Sequence, residues 1–254
     1  MLPGQAKLYI FDRSMSSGSL YIIPSWLHES NPSILLPRDL EVLNSLRYFV
    51  VENIRTTRRF LRAVISDFDI DQSTFIEIDK HATSQSFDEV FKFINSGSSV
   101  GLISEAGCPG IADPGSKLIA QAHKLGVKVI PWIGPSSILL SLMASGLNGQ
   151  GFTFHGYLPD KPEAELIKRL KQVENDSIKT GYSQIFIETP YRNVSLLDTL
   201  LRTLRDDTLL CMAIDLTAPE EYIHTDTIKA WRHRSIGDIK KRPAIFIINQ
   251  TALG

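Results

Sequence analysis

The chain has 254 residues, a formal net charge of −1, and 43% hydrophobic and 22% charged residues. These values are typical of a globular protein and exclude the disordered and fibrous classes. A near-neutral charge gives no general attraction to nucleic acid or to an anionic membrane, so a polyanion site must be a local patch. No apolar stretch approaches the roughly 18 residues needed to cross a bilayer. The two cysteines, Cys108 and Cys211, lack metal-ligand spacing and form no disulfide framework. Together with the absence of a long apolar stretch, this cysteine usage predicts a cytoplasmic protein without a membrane partner.

The first half of the chain alternates short β-rich runs with amphipathic stretches, which predicts a parallel sheet with crossover helices. Residues 1–18 precede this pattern and are interpreted as an N-terminal extension, in which Met15 offers an alternative start. The predicted strands are 20–23, 48–51, 74–78, 100–104 and 127–131. The predicted helices are 39–46, 57–65, 87–94, 116–125 and 136–144.

A turn-rich segment at 145–151 interrupts the alternation and predicts a domain boundary. We expect an N-terminal α/β domain at 19–148 and a C-terminal α/β domain at 152–254, with a cleft between them. The second half has predicted strands at 152–158, 184–188, 209–214, 221–224 and 244–248, and a charged helix at 163–174. Because the last three strands are not all separated by helices, this half is expected to hold a mixed sheet.

Two strand-to-helix turns are candidate ligand loops, because ligands of parallel α/β sheets bind beyond the carboxyl ends of the strands. The first turn, 104–115, contains three glycines that let a backbone approach a ligand closely. The second turn leads into a helix through Ser136 and Ser137, which can cap that helix or contact a polar ligand. Glycine-rich turns and serine caps also occur without any ligand, so each turn alone leaves both interpretations open.

Four arginines, Arg55, Arg58, Arg59 and Arg62, are spaced at i, i+3, i+4 and i+7 and therefore share one face of a predicted helix. Such a face can bind phosphates of RNA. The alternative is an ordinary solvated face, although Glu52 is the only nearby acid in the sequence to neutralise it.

Several catalytic signatures are missing from the sequence. There is no GxGxxG, GxxxxGK[ST] or HExxH motif, so dinucleotide binding of the Rossmann type, nucleotide hydrolysis and zinc proteolysis lose support. The six histidines show no paired spacing, so no metal site is predicted.

Eight ordered segments resemble the tetrapyrrole methylase superfamily of S-adenosylmethionine-dependent methyltransferases, and most closely its branch that methylates ribose 2′-oxygens of 16S ribosomal RNA. The segments are LYIIPS (20–25), VENIRTT (51–57), LISEAGCPGIADPG (102–115), GPSS (134–137), FHGYLPDK (154–161), IETPYR (187–192), AIDLT (213–217) and KRPAIFII (241–248). The likeness covers nearly the whole chain after residue 18. It implies a two-domain α/β tetrapyrrole methylase-like fold, with a parallel-sheet N-terminal domain and a mixed-sheet C-terminal domain, and a homodimer.

The resemblance also implies where S-adenosylmethionine binds in the cleft and that RNA of the small ribosomal subunit is the partner. Transferred motif by motif, the cofactor contacts are Pro24, Ala106, Gly107, Ile111, Ser136, Ser137, Glu188, Ala213, Pro243 and Ala244. A ribose hydroxyl must lose its proton during methylation, and Glu105 and Asp113 are the candidate catalytic groups for that step.

Three segments depart from the ribosomal branch at strand ends that face the presumed acceptor. The chain has Ser25-Trp26-Leu27-His28-Glu29 in place of a Thr-Pro-Ile-Gly-Asn type turn, Glu52-Asn53-Ile54-Arg55 in place of Glu-Asp-Thr-Arg, and Asp215-Leu216-Thr217-Ala218 in place of Glu-Leu-Thr-Lys. The departures therefore leave open the interpretation that the chain is a divergent paralogue with another acceptor. The alternatives are a methyltransferase for a tetrapyrrole or other small acceptor, and a cofactor-binding module without turnover.

Overall fold

Two five-stranded sheets organise the computed structural model, which describes residues 18–79 and 84–250. Most of the predicted N-terminal extension, residues 1–17, lies outside the described residues. The first sheet contains β1 (Ser19–Ile23), β2 (Tyr48–Val51), β3 (Thr74–Glu77), β4 (Val100–Ile103) and β5 (Lys128–Pro131). All its pairings are parallel, in the order β3-β2-β4-β1-β5. The predicted parallel sheet is confirmed.

Helices cover both faces of the first sheet: α1 (Pro37–Ser45), α2 (Ile54–Val64), α3 (Asp88–Asn95) and α4 (Gly115–Lys124). Apolar residues of α1 and α2 pack with Phe49 on one face, and those of α3 and α4 pack with Leu102 on the other. Helix α2 begins earlier than predicted because the Asn53 side chain accepts hydrogen bonds from the amides of Arg55 and Thr56. The central strand β4 is buried along its whole length.

The second sheet contains β6 (Phe152–Tyr157), β7 (Ser183–Glu188), β8 (Leu209–Ile214), β9 (Tyr222–Thr227) and β10 (Ala244–Asn249). Its order is β6-β7-β10-β8-β9, with β6 parallel to β7 and the other pairings antiparallel. The predicted mixed sheet is confirmed. The two sheets lie on either side of residues 145–151 in the chain, and the domain bounds themselves stay a prediction.

Four helices pack on the second sheet: α5 (Ser137–Ser145), α6 (Glu163–Thr180), α7 (Asn193–Thr203) and α8 (Ile228–Trp231). Helices α6, α7 and α8 cover one face, where Phe186 and Phe246 stack with ring centroids 5.8 Å apart. Helix α5 covers the opposite face through Leu142. Helices α7 and α8 were not predicted from the sequence, and α6 extends six residues beyond its predicted end at residue 174. Across the described parts of the chain, no helix is long and apolar enough to span a membrane.

Candidate functional site

A cavity of about 480 Å³ lies between the carboxyl ends of strands from the first sheet and residues of the second sheet. We call its surface on the first sheet the first wall, made by Leu27, His28, Glu52, Glu105, Ala106 and 111–113. The second wall is the surface made by Phe154, Tyr157, Ile187, Glu188, Pro190, Ala213, Asp215, Leu216 and 243–245. The start of α5, at Ser137 and Ile138, closes the cavity between the walls.

The cavity brings together seven of the ten sequence-predicted cofactor residues and both predicted catalytic residues. Those on its surface are Ala106, Ile111, Ser137, Glu188, Ala213, Pro243 and Ala244, with Glu105 and Asp113 beside them. The other three, Pro24, Gly107 and Ser136, are absent from its lining. The predicted residues therefore come together at one edge of the two sheets, seven on the cavity surface and three behind it, and their role in cofactor binding stays a prediction.

The three residues outside the lining support the loops that form it. Gly107 has a φ of +73°, and its carbonyl accepts a hydrogen bond of 2.9 Å from the amide of Ser25. Gly134 approaches Pro24 so closely that an added Cβ would lie 2.1 Å from the proline Cγ. The hydroxyl of Ser136 caps α5 by accepting from the amide of Leu139 at 3.5 Å. These contacts hold the two candidate ligand loops against β1.

Asp113 shapes the loop on the first wall through backbone hydrogen bonds. Its carboxylate accepts from the amide of Gly110 at 2.8 Å and from the amide of Gly115 at 2.7 Å. Burial raises the pKa of Asp113, although these two amides oppose the rise. Its carboxylate therefore fixes the turn that leads into α4.

Glu52 is a cavity residue that the sequence analysis did not assign to the site. It follows β2, and its Oε1 accepts a hydrogen bond of 3.0 Å from the amide of Glu105, which follows the neighbouring β4. Burial raises the pKa of Glu52, and repulsion by Asp113 and Glu105 adds to the rise, while the amide of Glu105 lowers it. The parallel order of β2 and β4 was the signal that could have identified Glu52, because neighbouring carboxyl ends meet at one edge.

Carboxylates on the second wall are paired with arginines. The side chain of Glu188 is 0% exposed, and its Oε2 lies 3.0 Å from Nη2 of Arg192. Asp215 accepts a hydrogen bond of 2.5 Å from Nε of Arg242, which also donates to the carbonyl of Glu220. Both pairs neutralise charge, and the pair of Asp215 and Arg242 also joins the end of β8 to the start of β10.

The turns beside the second wall hold three non-glycine residues in the left-handed region: Asp215 (φ 49°), Thr217 (φ 73°) and Lys241 (φ 65°). Asp tolerates this region, whereas a β-branched threonine is a strong outlier there. The amide of Thr217 donates to the Glu221 carboxylate at 2.7 Å. Its hydroxyl is buried and has no hydrogen-bond partner among the described residues.

The four arginines of α2 border a second, shallower cavity of about 600 Å³ together with Asn53, Ile54 and Glu77. Glu52, the nearby acid noted in the sequence, does not face these arginines but accepts a hydrogen bond from the amide of Glu105. Instead, Glu29 from the loop after β1 lies 3.0 Å from Arg59. Arg58 lies over the ring of Phe75, 5.2 Å from its centroid. Within the residues that the structure describes, no cluster of histidine, cysteine and carboxylate side chains could hold a metal.

Comparison with curated proteins finds relatives with one shared name, ribosomal RNA small subunit methyltransferase I. The chain is 35% identical over 204 residues to that protein from Vibrio cholerae, which covers 80% of this chain and 67% of the relative. It is 30% identical to the Escherichia coli O157:H7 protein, with coverage of 82% and 69%. With the Buchnera aphidicola protein it shares 29% identity, with coverage of 92% and 79%. No family model matches the chain.

Solved structures with the same fold include the methyltransferase CobJ, with a TM-score of 0.61, 18% identity and coverage of 92% of this chain and 94% of that one. A uroporphyrin-III C-methyltransferase from Thermus thermophilus has a TM-score of 0.55, 14% identity and coverage of 92% and 94%. At these identities the likeness concerns the fold alone, and it confirms the two-sheet α/β architecture.

Proposed function

The chain belongs to the family of the ribosomal RNA small subunit methyltransferase I proteins, and from this premise we propose that it methylates RNA of the small ribosomal subunit with S-adenosylmethionine as donor. As a member of this family the chain is a methyltransferase. One observation carries the choice of acceptor: the 35% identity to the Vibrio cholerae protein extends over 204 residues, which is 80% of this chain. A cytoplasmic location is proposed with the same acceptor.

The cavity suits the proposed donor in size and charge. Pockets for small molecules typically hold roughly 300 to 1,000 Å³, and this cavity of about 480 Å³ falls in that range. S-adenosylmethionine carries a positively charged sulfonium, and the first wall presents the carboxylates of Glu52, Glu105 and Asp113. The donor supplies an activated methyl group. We propose that it contacts the cavity at Ala106, Ile111, Ser137, Glu188, Ala213, Pro243 and Ala244, with Pro24, Gly107 and Ser136 holding the loops behind them.

The residues of this chain then have to align the acceptor and receive its proton. Alignment alone can contribute roughly 7 to 11 kcal/mol to lowering a barrier. Asp113 is engaged by the amides of Gly110 and Gly115, so we assign to it the shape of the loop. Glu105 lies on the cavity surface with an exposed side chain, and we assign to it the removal of the proton from a ribose hydroxyl.

The arginine face of α2 is proposed to bind phosphates of the RNA. Arg55, Arg58, Arg59 and Arg62 line one cavity beside the first wall, which is how a near-neutral protein can present a local positive patch. Phosphate contacts of this kind position a nucleic acid without reading its sequence.

A homodimer is proposed from the outer face of α5. Leu139 and Met143, one helical turn apart on the apolar helix that packs on the second sheet, are 50% and 78% exposed, and Ile133 before the helix is 66% exposed. Large exposed apolar patches mark interfaces, and two copies of one patch can form a self-complementary contact. Met143→Asp is expected to produce a monomer in analytical ultracentrifugation, and a wild-type protein that is already monomeric would contradict the proposal.

The proposed reaction is tested by transfer of a labelled methyl group to small ribosomal subunits. Subunits from a strain that lacks this protein are expected to incorporate label, and subunits from its parent are not. Incorporation into neither, with the donor still bound in calorimetry, would instead favour a small-molecule acceptor or a protein without turnover.

The donor site has a separate test in Gly107→Arg. A side chain at this φ of +73° is strained, and its Cβ would lie 3.1 Å from Leu27 and 3.3 Å from the carbonyl of Pro135. We expect loss of detectable donor binding in calorimetry. Gly149→Ala is the control, because an added Cβ there meets no atom within 4 Å. Retained affinity in Gly107→Arg would overturn the placement of the donor site.

A further inference from the structure

An exposed aromatic ring lies at the rim of the second wall. Tyr191 belongs to a short 3-10 turn, Pro190–Arg192, that follows β7, and Pro190 itself lines the main cavity. The Tyr191 side chain is 73% exposed, the largest exposure of any aromatic residue among the exposed large hydrophobics of the described chain. Aromatic rings gain stability from burial or from a stacking partner, so a ring held in solvent beside a cavity suggests a ligand that covers it.

Lys241 is fixed beside this ring by its backbone. Its amide donates a hydrogen bond of 3.0 Å to the carbonyl of Pro190. Its φ of 65° lies in the left-handed region, which costs a lysine about 1 kcal/mol or more unless the surroundings enforce it. Its Nζ lies 5.8 Å from the centroid of the Tyr191 ring, within the range of a cation–π contact. The fold thus holds a cation and an exposed ring next to each other.

The local charge around the ring is positive. Lys240 and Lys241 are both exposed, whereas Arg242 is engaged by Asp215 and by the carbonyl of Glu220. Among nearby acids, Asp238 accepts a hydrogen bond from the amide of Lys240 at 2.8 Å.

Two further acids lie on the other side of Tyr191, and both are paired. Glu188 and Asp160 each interact with Arg192, at 3.0 Å and 3.2 Å. The two lysines are therefore the cations that the rim presents to a ligand.

We propose that Tyr191 and Lys241 form a stacking platform for an unpaired nucleotide of the RNA acceptor, next to the nucleotide that enters the cavity. The base stacks on the tyrosine ring, and the adjoining phosphates contact Lys241 and Lys240. Exposed rings flanked by cations are how proteins bind single-stranded nucleic acid with little dependence on base identity. This inference deepens the proposed function and rests on it, because it takes the acceptor to be RNA. The RNA would then contact the protein on both sides of the cavity, at this platform beside the second wall and at the arginine face of α2 beside the first wall.

The test compares the affinity of the full-length protein for a short fluorescent oligoribonucleotide with the rate of methyl transfer. Tyr191→Ala is expected to weaken RNA binding about tenfold, in line with the loss of one stacked base. Tyr191→Phe keeps the ring and is expected to bind as the wild type does. Tyr182→Ala is the matched control, because Tyr182 is also exposed but lies at the opposite end of β7. Lys241→Ala is expected to weaken binding less and to reduce the salt dependence by about one phosphate contact.

The outcomes separate this inference from the proposed function. Weaker RNA binding and a raised KM for RNA in Tyr191→Ala, with kcat and donor affinity unchanged, support the platform. Wild-type affinity in Tyr191→Ala, an equal loss in Tyr182→Ala, or no RNA binding by the wild type overturns it. If Tyr191→Ala weakens RNA binding while the wild type transfers no methyl group to RNA, the platform stands and the proposed reaction does not. A peptide that competes for the ring while RNA does not would also overturn it.

Discussion

The two walls of the cavity both carry carboxylates but use them differently. On the first wall, Glu52 and Asp113 accept hydrogen bonds from backbone amides, and burial raises the pKa of both. On the second wall, Glu188 and Asp215 are paired with guanidinium groups. Carboxylates are thus held by neutral backbone amides on the first wall, where burial disfavours their charged form, and by ion pairs on the second wall. The proposed attraction of the donor and removal of the acceptor proton fall to the first wall, whereas the ion pairs of the second wall support its turns.

Arg192→Leu, beside the second wall, is expected to lower the free energy of unfolding most. The substitution leaves the fully buried Glu188 carboxylate without its guanidinium, and breaking a buried pair in this way typically costs about 3 to 5 kcal/mol. The free energy of unfolding is measured by urea denaturation. Arg202→Leu is the control, because its partner Glu163 forms an exposed pair worth less than about 1 kcal/mol. Equal losses in the two variants would show that the second wall does not depend on its ion pairs.

Asp215→Asn is expected to have an intermediate effect. Asparagine tolerates the φ of 49° at this position, so the substitution removes the charge that faces Arg242 while keeping the backbone. Loss of a hydrogen bond between charged groups predicts a destabilisation of about 2 kcal/mol in urea denaturation. Asp198→Asn, on the exposed surface of α7, serves as the control and should leave the unfolding free energy nearly unchanged. A stability equal to that of the wild type would argue that the ion pair of Asp215 and Arg242 does not stabilise the second wall.

Glu52→Gln is expected to change the free energy of unfolding least of the three variants, and to raise it where the other two lower it. The raised pKa means that folded protein binds a proton at Glu52 more tightly than unfolded protein, so the ionised carboxylate destabilises the fold as pH rises. This destabilisation is absent below the unfolded pKa of 4.5, grows up to the folded pKa, and is constant above it. Glutamine keeps an acceptor for the amide of Glu105 without the charge.

The pH series of this variant discriminates between the walls. Urea denaturation should show Glu52→Gln matching the wild type in acid and exceeding it at neutral pH, where Asp215→Asn falls below it. If both substitutions destabilise the protein equally at neutral pH, the contrast between the walls is wrong.

The sequence predicted the strands well because they are short apolar runs rich in β-branched residues. The strand Val100–Ile103 is a continuous apolar run and is central and fully buried. The helix Asn193–Thr203 was missed, although Leu196, Leu197 and Leu200 have helical spacing and are buried. The continuation of α6 beyond residue 174 could not be predicted locally, because the buried Glu174 is satisfied by the amide of Arg205, 31 positions away.

The candidate site was predictable to the extent that it depends on strand ends. Residues at or just beyond the carboxyl ends of β8 and β4, such as Ala213 and Ala106, were placed at the cavity edge by their motifs. Glu52 could have been predicted by the same reasoning, since β2 neighbours β4. The pairing of Arg242 with Asp215 was not, because it joins residues 27 positions apart and depends on how two turns meet.

Thr217, whose backbone lies in the left-handed region beside the second wall, is a position where a substitution can raise the thermal stability of the protein. Glycine at position 217 would adopt the same φ without steric cost, and it would remove a buried hydroxyl that lacks a hydrogen-bond partner among the described residues. Relief of such a conformation is worth about 1 to 3 kcal/mol. The greater backbone entropy of glycine in the unfolded state offsets about 0.5 to 1 kcal/mol of this gain, so the expected increase in Tm is at most a few degrees. Thr217 is not part of the cavity surface, so the substitution is expected to raise stability while the cavity keeps its shape.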